Sequence, residues 1–427
     1  MKKTITVYLL LCILLTLTAC GGGKKQNEPK ESTPPISDQT DTAVQIIDAA
    51  ETDFQKNFHL AQEDAFNRGC MSEAGYYFVG NGYVSYVEKD TLRAVILCGK
   101  PECLHQDQTC NAYLGNVQHI TFYEGRLYYA AAQEQGGFGS GDWSLYAMNA
   151  DGTQKQKVQS LRSPNDGFIS LPTQFLIHNG LVLFKSNREN ILCAPLGADL
   201  AAADMVKVND LEPNEDAALA NLELWYLWAD GETFYCFGNP KADQFRNALY
   251  AYRPQIKELT QVWKVPDSAE TGTWDTSDVS VNGWYLGDGI LFYFLSGNGL
   301  YAFDIAREET TKITDVTQSE RTGTAVFDGE YAYINNEEND MLFVYGLTGE
   351  YLGAYDYSET VSQGVGQESG SGVAKIIGSD DKLVFLCAQN LSGMSQDGIS
   401  LGYSFYYLPK ADLRTGAGSF QKIELPK

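Results

Sequence analysis

Three thiols and one imidazole fall within thirteen residues of this chain, at Cys98, Cys103, His105 and Cys110. Thiolates and a neutral imidazole are the donor set of a tetrahedral Cys3His zinc site. The intervals are wider than in common zinc fingers, whose ligand pairs stand about two to four residues apart, so spacing alone does not select a metal. Outside the cytoplasm the same thiols support a disulfide that staples the loop, which is the preferred reading, and a loop of unpaired thiols is a third. Seven cysteines follow Cys20, so any disulfide scheme leaves at least one of them unpaired. Cys193, Cys236 and Cys387 lie in apolar runs and read as small buried hydrophobes.

Other chemistry is sparse. The chain contains no His-Glu-x-x-His, no phosphate-loop lysine motif and no Gly-x-Ser-x-Gly elbow. Its four histidines are His59, His105, His119 and His178, and the last two adjoin a strand-like run and a turn, where structural roles are expected. The glycine-rich stretch 136–141 reads as a flexible connection between strands. Asn335, Asn336, Glu337, Glu338, Asn339 and Asp340 gather oxygen donors suited to Ca2+, yet without the alternating spacing of a calcium loop, so a solvated turn is preferred. Trp143 and Trp274 lie in polar, Gly-rich or Thr-rich stretches and are candidate stacking platforms for a ligand, together with the connection 133–142. Trp225, Trp228, Trp263 and Trp284 adjoin strand-like runs and read as core. No residue is assigned a catalytic role.

The elements that must carry these residues repeat. An acidic or amide residue meets a turn residue, and an aromatic-rich apolar run follows, at Glu124-Gly125, Asn179-Gly180, Asp230-Gly231, Asp288-Gly289, Asp328-Gly329 and Asp380-Asp381. A further copy falls at Ala74-Gly75 or Asn81-Gly82. The copies are 40 to 58 residues apart, counted from Gly75. Asp-Gly and Asn-Gly supply the positive φ angles of a tight hairpin, and the Val, Ile, Tyr and Phe of the flanking runs suit a half-buried strand. A unit of about 50 residues with three or four short strands is one blade of a β-propeller. The fold is therefore expected to be all-β, a seven-bladed propeller over residues 71–427, with six or eight blades as alternatives. Most Tyr and Phe would fill the spaces between blades, with Tyr hydroxyls wetted at the rims.

The amino terminus reads as an address. Lys2 and Lys3 precede an apolar run too short for a comfortable membrane span, and Leu17-Thr18-Ala19-Cys20 follows. Residues 1–19 are read as a signal peptide, and residues 20–43, poor in apolar side chains, as a disordered tether. Within the lead-in 44–70, Ile47, Ala50, Phe54, Phe58, Ala61 and Ala65 repeat at three and four residues and predict a short amphipathic helix. Loss of residues 1–19 leaves 29 basic against 55 acidic side chains, a net charge of −26. Such a surface repels nucleic acid and favours solubility, and a preference for cationic ligands is a secondary reading.

Two of these stretches resemble a known group. Leu17-Thr18-Ala19-Cys20 resembles the lipobox of bacterial lipoproteins, and Cys98, Lys100, Pro101, Glu102, Cys103, His105, Cys110, Asn111, Ala112 and Tyr113 resemble a hallmark of propeller-type lipoproteins from clostridial gut bacteria. That resemblance implies cleavage before Cys20, acylation of Cys20 (a palmitate-type anchor) and display on the extracytoplasmic face of the cell membrane. It implies no substrate.

The expected function is that of a lipid-anchored propeller which binds a ligand or partner protein through loops at its channel mouth, with Trp143 and Trp274 as contact residues. A non-enzymatic role is preferred. A glycan-active hydrolase or lyase using carboxylates at the channel, and a scaffold or sensor subunit of an envelope complex, are the alternatives. No cofactor is expected apart from Zn at the thiol loop or Ca2+ at 335–340. The expected partners are the membrane and an extracellular ligand or protein, and not nucleic acid.

Overall fold

Each repeated unit becomes one four-stranded antiparallel sheet in the computed structural model. It describes Gln55, Phe58 and, apart from a few positions, residues 67–132, 143–161, 174–198, 206–207, 222–240, 248–265, 281–316, 323–358, 373–413 and 415–426. The signal peptide, Cys20, the tether, Trp274 and the connection 133–142 lie outside the described residues, as does the predicted helix over 44–66 except for Gln55 and Phe58.

Blade 1 holds β1 (Gly69–Met71), β2 (Gly75–Gly80), β3 (Tyr83–Glu88) and β4 (Ala94–Ile96). Blade 2 follows with β5 (Ile120–Tyr123), β6 (Arg126–Ala132), β7 (Trp143–Asn149) and β8 (Gln156–Ser160). In blade 3 the strands are β9 (Phe175–His178), β10 (Leu181–Asn187), β11 (Asn190–Pro195) and β12 (Val206–Lys207). Blade 4 is built from β13 (Leu222–Asp230), β14 (Thr233–Pro240), β15 (Ala248–Arg253) and β16 (Glu258–Lys264). Next come β17 (Val281–Gly287), β18 (Ile290–Leu295), β19 (Gly299–Asp304) and β20 (Glu309–Asp315) of blade 5. Blade 6 contains β21 (Thr324–Phe327), β22 (Tyr331–Asn336), β23 (Met341–Gly346) and β24 (Tyr351–Asp356). The chain ends on blade 7, with β25 (Val373–Ser379), β26 (Leu383–Ser395), β27 (Gly398–Pro409), the short helix α1 (Lys410–Leu413) and β28 (Gln421–Ile423).

These seven sheets form a ring, the seven-bladed propeller expected from the repeat. From blade 1 to blade 6 the first strand of each blade touches the first strand of the next, so first strands are innermost, and β25 closes the circle against β1. Among the described residues each blade takes its four strands from one continuous stretch of chain. Closure rests on side chains: Phe58, Met71, Tyr76 and Phe78 pack against Ile377, Phe385, Cys387 and Phe405 of blade 7. Six further apolar clusters among the described residues fill the remaining interfaces between blades. A sheet this small cannot bury both faces by itself, so the interfaces carry the hydrophobic stabilisation of the ring.

The repeated pair lies between the first and second strands of its blade. Glu124-Gly125, Asn179-Gly180 and Asp288-Gly289 have positive φ at both positions, as a two-residue hairpin that follows the strand twist requires. In blade 1 this place is taken by Ser72, Glu73 and Ala74, with the Ser72 N–H donating to Gly75 O at 2.8 Å, so Ala74-Gly75 is the true copy and Asn81-Gly82 joins β2 to β3. Strand β1 opens at Gly69. One expectation needs correction. Tyr76, Tyr333 and Tyr357 are buried, and their hydroxyls donate to Asp380, Asp328 and Asn335 instead of to water. At this depth water does not reach the hydroxyl, and a protein acceptor takes its place at these three positions.

Gln55 and Phe58 pack against the ring at two places. The Gln55 amide donates to Ile177 O of β9 and accepts from Ile177 N at 3.1 Å, continuing the ladder at that inner strand's free edge. Phe58 packs on Phe78 and Phe385, with ring centroids 6.1 and 5.5 Å away. Gln55 thus meets blade 3, and Phe58 the seam between blades 7 and 1. Among the described residues no helix is long and apolar enough to cross a membrane.

Candidate functional site

Two places on the ring concentrate chemistry. The first is the connection from β4 to β5, which carries Cys98, Cys103, His105 and Cys110. Their four donor atoms all lie within 4.8 Å of one another. His105 Nδ1 stands 3.4 Å from Cys110 Sγ, and His105 itself is held at a φ of 56°. The Cys103 N–H donates to Lys100 O at 3.2 Å and the Tyr113 N–H to Cys110 O at 3.1 Å, two tight turns that fold the thiols inward. Asn111 anchors the loop on blade 2, donating to Gly152 O at 2.8 Å. Lys155 donates to Tyr113 O at 2.6 Å, and Lys100 to Thr109 O.

The electrostatics split the thiols. Burial opposes ionisation of Cys98, but backbone hydrogen bonds at Lys100 and Asn111, aided by the Cys110 and Cys103 thiols, outweigh it and hold its pKa below the ordinary thiol value. Burial, and after it the neighbouring thiols of Cys103 and Cys98, push Cys110 up to about 11. None of the seven described cysteines is joined in a disulfide. Cys193, Cys236 and Cys387 are buried, as their apolar runs predicted.

The second place is a pocket of about 260 Å³ where the inner turns of blades 5, 6 and 7 converge, lined by Tyr285, Asp328, Glu330, Ser379, Asp380, Asp381 and Lys410. The repeat builds it. Asp328 and Asp380 occupy the same turn position, and in each Oδ1 accepts the N–H groups two and three residues on: Glu330 at 3.0 Å and Tyr331 at 2.8 Å, and Lys382 and Leu383, both at 2.8 Å. Each Oδ2 then reaches a neighbouring blade. Asp328 Oδ2 accepts from Tyr333 at 2.6 Å and Ser379 at 2.8 Å, and pairs with Lys410 Nζ at 2.7 Å. Asp380 Oδ2 accepts from Tyr76 and lies 3.6 Å from Lys89 Nζ. Tyr285 forms the aromatic wall; burial, then Asp328, raises its pKa, so the phenol stays neutral. It fits there because its partner across the turn is glycine: a Cβ on Gly329 would lie 2.8 Å from the Tyr285 hydroxyl oxygen.

Four carboxylates line this pocket beside the Lys410 ammonium, with Lys89 3.6 and 3.7 Å from Asp380 and Asp381, and sequence reading missed all of them as site residues. Asp328 and Asp380 were visible only as turn residues. Trp143, expected in a loop, instead opens β7 and is buried between blades 2 and 3, so it offers no stacking face. Trp228, Trp263 and Trp284 are core, as expected. His119 packs against Phe175 at 4.5 Å, and His178 Nε2–H donates to Gly231 O at 2.7 Å, both structural positions. In the proposed calcium stretch, Asn335 and Asn336 are buried strand residues. The Asn335 oxygen accepts from Tyr357 at 2.6 Å and its amide donates to Ala374 O at 3.0 Å, so Asn335 links blades rather than forming a loop ligand.

No family model matches this chain, and neither does any curated protein. Solved structures that resemble it include an oligogalacturonate lyase in complex with manganese, at 11% identity and a TM-score of 0.43, covering 62% of this chain and 72% of the lyase. BamB from Moraxella catarrhalis is similar at 12% identity and a TM-score of 0.40, covering 80% of this chain and 97% of BamB. The computationally designed protein Ika8 is similar at 12% identity and a TM-score of 0.42, covering 79% and 83%. Likeness at this level assigns neither substrate nor partner.

Proposed function

We propose that this chain is a lipid-anchored, extracytoplasmic binding propeller of the clostridial lipoprotein type, and that its pocket at blades 5 to 7 receives a positively charged group of a ligand or of a partner protein's side chain. The observation that carries this reading is the pocket's lining. Asp328, Glu330, Asp380 and Asp381 outnumber Lys410 and the adjacent Lys89, which leaves the site net negative, and Tyr285 adds an aromatic lining. Binding is favoured over hydrolysis because both buried carboxylates already have their oxygens occupied by backbone, hydroxyl and ammonium donors. A general acid or nucleophile needs an oxygen that can reach substrate.

The anchor follows from Cys20 and its lipobox. Acyl chains on Cys20 hold the ring at the membrane, each buried methylene contributing about 0.8 kcal/mol. A thermal-shift screen of the purified chain against polyamines, Lys- and Arg-containing peptides, acidic oligosaccharides and phosphates tests the pocket. Cationic compounds are expected to raise the melting temperature, with a smaller rise for E330Q/D381N. Stabilisation by acidic oligosaccharides alone would sink the reading. Detergent partitioning of wild type against C20S tests the anchor: C20S is expected in the aqueous phase, and equal partitioning would rule out lipidation at Cys20.

A further inference from the structure

We propose that Cys98, Cys103, His105 and Cys110 hold one zinc ion, as a tetrahedral clasp on the connection between blades 1 and 2. With Zn–S near 2.3 Å and Zn–N near 2.0–2.1 Å, ligand atoms around one zinc stand roughly 3.3–3.8 Å apart. The 3.4 Å between His105 Nδ1 and Cys110 Sγ falls in that range, and all four donors are gathered within 4.8 Å of one another. A disulfide accounts for two thiols. It leaves unexplained why the third thiol and an imidazole aim at the same point.

The backbone supports the same conclusion. His105 is a non-glycine residue with φ of 56°, a conformation that costs energy and persists where the surroundings impose it. It follows the turn that folds Cys103 back over Lys100, and together they bring the imidazole towards Cys110. Lys100 and Lys155 stand beside the loop and offset the charge of three thiolates around one divalent ion. One side of the site is dry: Cys110 is buried, and Cys98 and Cys103 pack against the apolar cluster between blades 1 and 2. The other side is open enough for an ion to enter, since Cys98, Cys103 and His105 are half-exposed.

The clasp has a mechanical purpose. The loop runs from the outer strand β4 of blade 1 to the inner strand β5 of blade 2. Its second half is tied to blade 1 by the Tyr83–Tyr113 bridge and by Val84 N–H donating to Ala112 O at 2.9 Å, whereas the described residues from Cys98 to Cys110 form no strand or helix. Four bonds to one ion fix the Cys98–Cys110 stretch, which the bonds from Asn111 to Gly152 O and from Lys155 to Tyr113 O hold only at its far end.

The test is metal analysis of the full chain purified under reducing conditions, followed by removal of the metal and addition of Co2+. About one zinc per chain is expected, and Co2+ should give thiolate charge-transfer bands and the intense visible absorption of a tetrahedral site. C103S should weaken metal binding by about tenfold or more. H105Q, at a half-exposed position, should keep the fold while changing the cobalt spectrum. Failure of the reconstituted chain to take up zinc or cobalt with its thiols reduced would overturn the proposal, and so would a cobalt spectrum unchanged in H105Q.

Discussion

Tyr76, in the second strand of the first blade, donates its phenolic hydrogen to Asp380, in the inner turn of the last blade, across 304 positions of sequence. This bond lies on the seam where the ring closes, and with the Lys89–Asp380 pair at 3.6 Å it ties the two ends of the fold by polar contact. Burial, then Asp380, raises the Tyr76 pKa, so the phenol remains a donor at all ordinary pH. Replacing Tyr76 with Phe keeps the ring packed on Phe385 and removes only the hydroxyl. The expected loss is about 1–2 kcal/mol in urea unfolding. A double-mutant cycle with D380N should show coupling between the two positions, and strict additivity would mean that the bond contributes nothing to closure.

One seam earlier, the same turn position is an ion pair. Asp328 and Lys410 are both nearly inaccessible, with side-chain exposures of 3% and 9%. Removing the carboxylate in D328A leaves the buried Lys410 ammonium only the exposed Glu330, 3.6 Å away, and leaves Tyr333 and Ser379 without this acceptor, at an expected cost of about 3–5 kcal/mol. K410M leaves Asp328 with its other donors and should cost distinctly less. Equal losses in chemical denaturation would show that the network is not centred on Asp328.

How much of this was legible in the sequence follows from the range of each interaction. The blades were readable because Asp-Gly and Asn-Gly turns and the aromatic runs after them act within a few residues. The thiol–histidine cluster was readable because its members share one loop. The pocket was not readable, since Tyr285, Asp328, Asp380 and Lys410 meet only once three blades have packed. An Asp recurring at one turn position was the available signal, and turn chemistry accounted for it fully. Trp143 misled because its flanking glycines resemble a loop, while its own position belongs to a strand facing blade 3.

Gly283 is a glycine by necessity. It sits at a register shift in β17 with a φ of 145°, and a Cβ there would lie 1.9 Å from Ala325 O of blade 6. G283A is expected to destabilise the chain by about 2–4 kcal/mol, because backbone would have to move to admit the methyl group. G125A offers the contrast, since nothing lies within 4 Å of a Cβ there and only the φ of 76° resists it. Thermal melts of both variants check this, and equal shifts would refute the close-contact argument.

Asp340 gives a pH-dependent test. Burial, then the nearby charge of Asp356, raises its pKa above the ordinary 3.8. A raised carboxylate pKa means that the ionised form is less welcome in the fold than in the unfolded chain. The penalty is therefore present at neutral pH and vanishes as pH falls below the unfolded value, where both states are protonated. D340N keeps a residue that tolerates φ of 52° and should raise the melting temperature at pH 7, with the gain shrinking towards zero near about pH 3. A gain that persists undiminished in acid would show that charge is not its cause.

The pocket is the centre of the functional account, and calorimetric titration tests it most directly. The best cationic binder found by screening is titrated into wild type, into E330Q/D381N and into W143F as a control remote from the pocket. The account predicts that E330Q/D381N loses about tenfold or more in affinity, that W143F matches wild type, and that added salt weakens binding in wild type. Binding that is indifferent to E330Q/D381N but abolished by W143F would contradict it.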